Sequence, residues 1–402
     1  MLRNKFTTST FLSQAAGGGS GGGQMTPAQQ NQLARQLIQS QGLDMCQQIF
    51  SYTGAPSTNN VITIVPRNVG LLRGFWVEIN ATMYGSAASG ALTPFGPANL
   101  LSQIVFFDLN NNVRHQTTGW HVAFIDSIRK GYPYSQGFTV PGPIGYGPNF
   151  APSVVEAPTE LPATAPGSPN VRMLYYIPIS YTKDDLRGAI YMGVTNATAS
   201  LQLTLNTSGA FVATGADPTG AIYQNATNPE WSSVTVNVYQ DYIDQLPVGS
   251  NGAPILPLTD LSTVYELKST TLTSMVANQD FPIPYSNFRS FLSTFMVFDN
   301  GGTLNTGSDV NYLGLQAANF TFMLKTDAGL WSSWTRDMLQ TDFPDGVYYL
   351  DTRRKPLNTN QYGNLQLILN ASTVNANAVV LMGYEDFALI NTIQLAQSLP
   401  AS

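Results

Sequence analysis

One short strand is written twice in this chain. Leu201-Gln-Leu-Thr-Leu-Asn206 and Leu365-Gln-Leu-Ile-Leu-Asn370 differ at a single position. Each copy is followed by a second β-rich segment that closes its half, Val234–Tyr242 and Val379–Phe387. Both segments end on an aromatic, polar, acidic, aromatic run. Leucine at alternate positions puts one apolar row on one face of a sheet. A chain that repeats this unit must bury two such rows, and two similar β domains satisfy that demand. The 402 residues are enough for two cores.

Composition narrows what such a pair of domains does. Charged residues make up 10% of the chain, against about 25% in an ordinary soluble domain. Amides, hydroxyls and glycine replace them, and such a surface suits wide packed interfaces because burying unpaired charge is costly. The net charge of −6 argues against a nucleic-acid partner, which requires basic patches to neutralise phosphates. Residues 1–43 carry Arg3, Lys5 and Arg35 and no acid, whereas the other 15 basic and 24 acidic side chains leave the body at −9. A basic arm on an acidic body points to an anionic contact such as lipid headgroups. Cys46 is the only cysteine, so no disulfide forms within the chain. No apolar run reaches the length of a membrane span, and Thr7–Thr10 interrupts any signal-like segment.

Along the chain, 1–50 reads as an N-terminal arm: a flexible Gly linker at 17–23 and an amphipathic helix at about 26–41. Thr26-Pro27 supplies a cap and a first-turn proline, Leu33, Leu37 and Ile38 share a face, and Gly42 is the stop. Residues 51–246 form a first β domain with strands at 61–65, 71–80, 104–108, 113–115, 171–179, 201–206 and 234–242, and a helix near 120–128. Long surface excursions at 131–170 and 207–230 interrupt it. A turn-rich linker follows at 247–263. The second domain, 264–390, has strands at 281–284, 290–299, 320–325, 346–352, 364–370 and 378–386, and a helix at 328–340. Residues 391–402 are a tail. The expected fold is all-β: two eight-stranded jelly rolls with a few short helices and the N-terminal helix.

Residues of the reactive types do not assemble into a motif. His115 and His121 have no partner ligands at metal-binding spacing and are expected to be structural. The acid pairs Asp184-Asp185 and Glu385-Asp386 would point to opposite faces of a strand, so neither pair can flank one glycosidic bond. No nucleophile elbow or phosphate loop occurs. No catalytic residue, metal or cofactor is therefore expected. Arg353-Arg354-Lys355 is the only basic run. It falls on a turn, as a candidate inter-subunit charge cluster or a solvated loop.

Strings from Thr26 to Glu385 carry a resemblance. They include Thr26–Gln30, Phe95–Leu100, Gly119–His121, Ala221–Gln224, Asp244–Gly249, Ile255–Leu258, Phe298–Gly302, Gly346–Tyr349, Gln361–Asn364 and Leu381–Glu385. In this order the chain resembles the major capsid proteins of the tectiviruses, membrane-containing icosahedral bacteriophages with a double jelly-roll coat. The resemblance implies homotrimeric, pseudo-hexagonal capsomers tiling a shell over an internal membrane, with minor capsid and vertex proteins as further partners. It implies a place in the virion after assembly in the host bacterial cytoplasm, and no enzymatic activity. The helix residues Leu33, Arg35, Leu37 and Ile38 would then face the membrane or a neighbouring capsomer, and the charge of the arm, not the resemblance, sets the same expectation for Arg3 and Lys5. Residues 1–24 precede the matching segment, so no role carries over to them. The rival reading is a jelly-roll receptor-binding or lectin-like spike.

Overall fold

Alternation of apolar and polar residues sets most of the strands, and a computed structural model shows how they pair. The structure describes residues 25–54, 60–88, 90–130, 157–194, 197–206, 219–304, 308–317, 321–339, 343–362 and 364–389. The first half contributes β1 (Leu43–Gly54), β2 (Val61–Ile64), β3 (Leu71–Tyr84), β4 (Leu101–Phe107), β5 (Val113–Thr117), β6 (Val171–Pro178), β7 (Ser200–Leu205) and β8 (Glu230–Asp244). The second contributes β9 (Thr263–Leu272), β10 (Asp280–Pro284), β11 (Ser290–Asp299), β12 (Val310–Ala317), β13 (Thr321–Thr326), β14 (Val347–Asp351), β15 (Gln366–Ala371) and β16 (Val379–Leu389).

Both halves use one topology. One sheet runs β1-β8-β3-β6 and its counterpart β9-β16-β11-β14; the facing sheet runs β2-β7-β4-β5 and its counterpart β10-β15-β12-β13. In each half the first strand lies beside the eighth, and the second beside the seventh. This is a jelly roll, made twice. The repeated Leu-Gln-Leu strands are β7 and β15, and each sits between the second and fourth strands of its own barrel. Leu203 pairs with Ile62 on one side and Ile104 on the other. Leu367 pairs likewise with Ile283 and Leu315. All six side chains are buried, three in each barrel core.

The barrels share a sheet. β5 runs parallel to β9, with His115 opposite Leu267 and Gln116 opposite Lys268, the one parallel pairing among the described strands. A helix follows the fifth strand of each barrel: α2 (Gly119–Lys130) in the first and α4 (Ala328–Leu339) in the second. Before the first barrel stands α1 (Pro27–Gln41), and α3 (Leu258–Leu261) lies between the barrels in sequence. Thr26 and Gln29 form a capping box at the start of α1, and Gly42 ends the helix.

Three expectations change. The first barrel starts at Leu43, inside the expected arm of 1–50, because β1 pairs with β8 along its whole length. Its pattern of exposed and half-buried positions is that of a wet edge strand, so Gln47 and Gln48 hide it from a hydrophobicity reading. Strand β12 was not expected, since Asn311 and Gly314 interrupt its apolar alternation. The second barrel opens at Thr263. The expected tail 391–402, and residues 131–156 and 207–218 of the two excursions, lie outside the described residues.

Candidate functional site

No group of three or more His, Cys, Asp or Glu side chains among the described residues is placed to hold a metal ion. The chemistry-bearing residues gather instead at the seam between the barrels. His115, the central residue of β5, is fully buried there. Its Nδ1 accepts the Leu267 amide of β9 at 3.0 Å, and its Nε2 donates to the Pro178 carbonyl of β6 at 2.7 Å. Both nitrogens are therefore used by backbone, with the proton on Nε2. Burial pushes its pKa down to about 3, so the ring stays neutral.

One turn into α2, His121 is the second buried histidine, also pushed down to about 3 by burial and then by the Arg129 charge. Its Nδ1 lies 2.6 Å from Thr117 Oγ1. The ring sits edge-on to Phe295 of β11, with centroids 5.8 Å apart, and covers Gly383 of β16. A Cβ at 383 would lie 2.5 Å from His121 Cδ2, so glycine is what lets the helix approach the second barrel. Phe124 of α2 adds a second ring contact to Phe295 at 5.4 Å. Phe295 in turn packs on Tyr349 of β14 at 4.6 Å.

The last turn of α2 carries a charge across the seam. Arg129 Nη2 donates to Glu385 Oε1 at 2.6 Å and to the Tyr265 hydroxyl at 2.5 Å. Tyr265 donates to the same carboxylate oxygen at 2.9 Å, and Ser293 donates to Oε2 at 2.6 Å. Burial works against the Arg129 charge, yet Tyr265 and Glu385 outweigh it and hold its pKa above the ordinary value. The guanidinium also lies over the Tyr181 and Tyr265 rings, 5.1 Å from each centroid. Such a closed network fixes one relative placement of the two barrels.

Asp386 points to a separate group. It accepts from Arg289 at 2.9 Å, and Arg289 also meets Glu266, which Lys268 approaches at 2.6 Å. Burial, reinforced by the Glu266 charge and opposed by Arg289, raises the Asp386 pKa to about 6. The adjacent acids Glu385 and Asp386 thus serve two different arginines, and they do not converge on a common point. Their roles are structural. Sequence reading had treated this pair only as weak catalytic candidates and had missed Arg129, Tyr265 and Arg289. The available signal was the scarcity of charge: an ionisable group inside an otherwise apolar strand needs a partner.

The arm residues are placed as follows. Leu37 and Ile38 are buried against the chain's own body, where Ile38 joins Leu71, Leu186, Ala189, Ile243 and Leu261. That corrects the expectation that both face a membrane or a neighbour. Arg35 makes a two-pronged contact with the buried Asp260 of α3, and Asn31 donates to the same carboxylate at 3.0 Å. Leu33 is half-buried. Arg3 and Lys5 lie outside the described residues. At the basic turn, Arg353 is engaged by Asp351 at 2.6 Å and 3.0 Å, while Arg354 and Lys355 are exposed.

Comparison with known proteins gives this architecture a context. Residues 24–246 match the family model described as P3 major capsid protein N-terminal, and residues 262–400 match P3 major capsid protein C-terminal. The major capsid protein P3 of Enterobacteria phage PRD1 is 41% identical over 380 residues, covering 90% of this chain and 95% of that protein. Among solved structures, the major capsid protein of STIV superposes with a TM-score of 0.60 at 14% identity, over 89% of this chain and 100% of that one. The PBCV-1 protein VP54 gives 0.52 at 12% identity, over 86% and 94%. These two likenesses concern the fold.

Proposed function

This chain belongs to the P3 major capsid protein family, and from that premise we propose that it builds an icosahedral bacteriophage shell as homotrimers of pseudo-hexagonal outline. Its role as a structural capsid protein follows from the family; a receptor-binding or lectin-like spike does not. The observation that carries the trimer reading is the pair of barrels with one strand order fused through one sheet. Such a chain is a block of two similar units joined through one continuous sheet. Three blocks about a threefold axis present six similar barrels, and closed cyclic symmetry yields a unit that tiles a shell.

The remaining partners belong to the same proposal. An internal membrane would meet the basic tip at Arg3 and Lys5, where each charge contributes about 1 kcal/mol near an anionic surface. Many copies in a shell add those weak contacts together. Minor capsid and vertex proteins would fill positions that trimers leave open, and assembly would take place in the host bacterial cytoplasm. Arg354 and Lys355 are proposed as contacts between capsomers. No catalytic role is proposed. Light scattering on purified protein at micromolar concentration tests the trimer: a mass of three chains is expected, and a persistent monomer overturns it.

A further inference from the structure

The chain contains two Asn-Gly pairs, Asn251-Gly252 and Asn300-Gly301, and the fold holds them in opposite ways. Glycine has no side chain to shield its own amide nitrogen from the asparagine before it. If that nitrogen reaches the side-chain carbonyl carbon, the asparagine can lose its amide. Which pair reacts therefore depends on where each side chain is held.

Asn300 follows β11 and is only 2% exposed. Its Oδ1 accepts the Asn375 amide at 2.7 Å, and its Nδ2 donates to the Thr373 carbonyl at 3.3 Å. Its main-chain carbonyl accepts from Asn375 Nδ2 at 3.0 Å. These partners all lie on the connection between β15 and β16, so the side chain is held across to another loop and not over Gly301. An attack by Gly301 would have to break buried hydrogen bonds that nothing replaces.

Asn251 stands at the tip of a narrow hairpin between β8 and α3. The Ile255 amide donates to the Pro247 carbonyl at 2.7 Å, the Gly249 amide donates to the Ala253 carbonyl at 2.8 Å, and Val248 bridges Pro254. Leu246 and Leu256, one on each leg, pack at the edge of the Ile38 cluster. The legs are thus fixed while residues 250–253 are exposed. Asn251 Oδ1 accepts the Ala253 amide at 3.1 Å. A side chain bonded to the second amide along is folded over the amide between them, which is that of Gly252. Gly252 has a φ of +77°, and a Cβ on it would meet nothing within 4 Å, so nothing stands over its nitrogen. The Ala253 N–H polarises the carbonyl that it holds and would steady an oxyanion formed there. The fixed legs hold this arrangement in advance.

We propose that Asn251 is a site of spontaneous covalent modification, at which Gly252 displaces the side-chain amide. The Gly252 N–H, bonded to the Gly249 carbonyl at 3.0 Å on the exposed tip, gives its proton to hydroxide. The nitrogen then forms a bond to Asn251 Cγ, the Cγ–Nδ2 bond breaks, and the amide takes up a proton and leaves as ammonia. Water opens the resulting cyclic imide at either carbonyl, which yields aspartate or isoaspartate at position 251. Hydroxide and water are the only co-reactants. The product places a negative charge on the connection between the barrels, and the isoaspartate form threads the main chain through the former side-chain carbon.

Peptide mass mapping of full-length protein incubated at mildly alkaline pH tests this. The peptide holding residue 251 should show the mass of amide-to-acid exchange and split into aspartate and isoaspartate forms, while the peptide holding residue 300 stays unchanged. In urea, where neither side chain is held, both should convert. Gly252→Ala, whose added Cβ has room, should slow conversion at 251 and leave the circular dichroism spectrum unchanged. The proposal is overturned if residue 251 of the folded chain is intact after both sites have converted in urea, or if 251 and 300 convert equally in the folded chain. A product without isoaspartate, or an undiminished rate in Gly252→Ala, overturns it too, because no ring would then have formed through Gly252.

Discussion

The Leu267 amide of the second barrel donates to His115 Nδ1 of the first at 3.0 Å, so a side chain completes the pairing of a strand in another domain. Only two residue pairs join β5 to β9. The imidazole extends this short contact, and its other nitrogen ties it to β6 through Pro178. A buried neutral ring can serve two backbone groups in this way only while it carries one proton.

The first prediction follows from that proton count. His115 and His121 are held at about 3 in the folded chain, against an ordinary 6.5. As pH falls below 6.5 the unfolded chain takes up two protons that the folded chain refuses, so their contribution to stability is lost progressively toward pH 3. Each histidine contributes a slope of about 1.4 kcal/mol per pH unit in that window. Asp386 opposes them, because its folded value of about 6 lies above 3.8, and its folded state gains stability on acidification between the two. Two histidines outweigh one carboxyl. The urea midpoint should fall between about pH 6.5 and pH 4, more steeply in Asp386→Asn; a midpoint that is flat or rises toward acid would show that the histidines are not held neutral.

A second prediction concerns Arg129. Replacing it by Met leaves Glu385 buried with only hydroxyl partners, and breaking a buried pair on one side costs about 3–5 kcal/mol. The double variant Arg129→Met with Glu385→Gln should recover much of that loss, since no charge is then stranded. A double-mutant cycle from urea unfolding measures the coupling. Additive effects would mean that the guanidinium and carboxylate do not depend on each other.

Legibility in the sequence tracked phase and wetness. The Leu-Gln-Leu repeat was readable because Leu201, Leu203 and Leu205 face one core as Leu365, Leu367 and Leu369 face the other. The second repeat was similar in letters and opposite in phase. Val238 faces the first core, which turns Tyr239 away, whereas Tyr384 packs into the second core beside Tyr285 and Phe291. A shift of one residue reverses every side chain on a strand, and composition cannot reveal it. β1 was hidden because an edge strand needs few buried residues. The seam was hidden because Arg129 and Glu385 are 256 residues apart and meet only once both barrels exist.

Equivalence of the barrels gives a third prediction. Leu203→Ala and Leu367→Ala each remove a buried side chain from the centre of a three-strand row, at a cost of about 2–5 kcal/mol. Cavities of the same kind in the same place should produce losses of similar size. Thermal unfolding of both variants, beside a surface control such as Gln202→Ala, tests this. A large loss for one and none for the other would mean that the two strands are not equivalent in load.

The last prediction concerns α1, which the structure docks on its own chain. Arg35 is gripped by Asp260, and Ile38 covers an apolar patch made by Leu71, Leu186, Ala189, Ile243 and Leu261. Removing residues 1–24 should therefore leave the unfolding midpoint unchanged, whereas removal through Gly42 should lower it and increase binding of a hydrophobic dye. Between those extremes lies Asp260→Asn, which keeps the helix but weakens its charged anchor. Hydrogen bonds to a charged group are worth about 1.5–3 kcal/mol, so the undocked population should rise roughly tenfold or more. Arg35 is itself a trypsin site. Cleavage after it should accelerate by that factor in Asp260→Asn while the barrels stay intact on the gel. Unchanged cleavage in that variant would mean that the Arg35–Asp260 contact does not hold the helix, and that the apolar patch alone retains it.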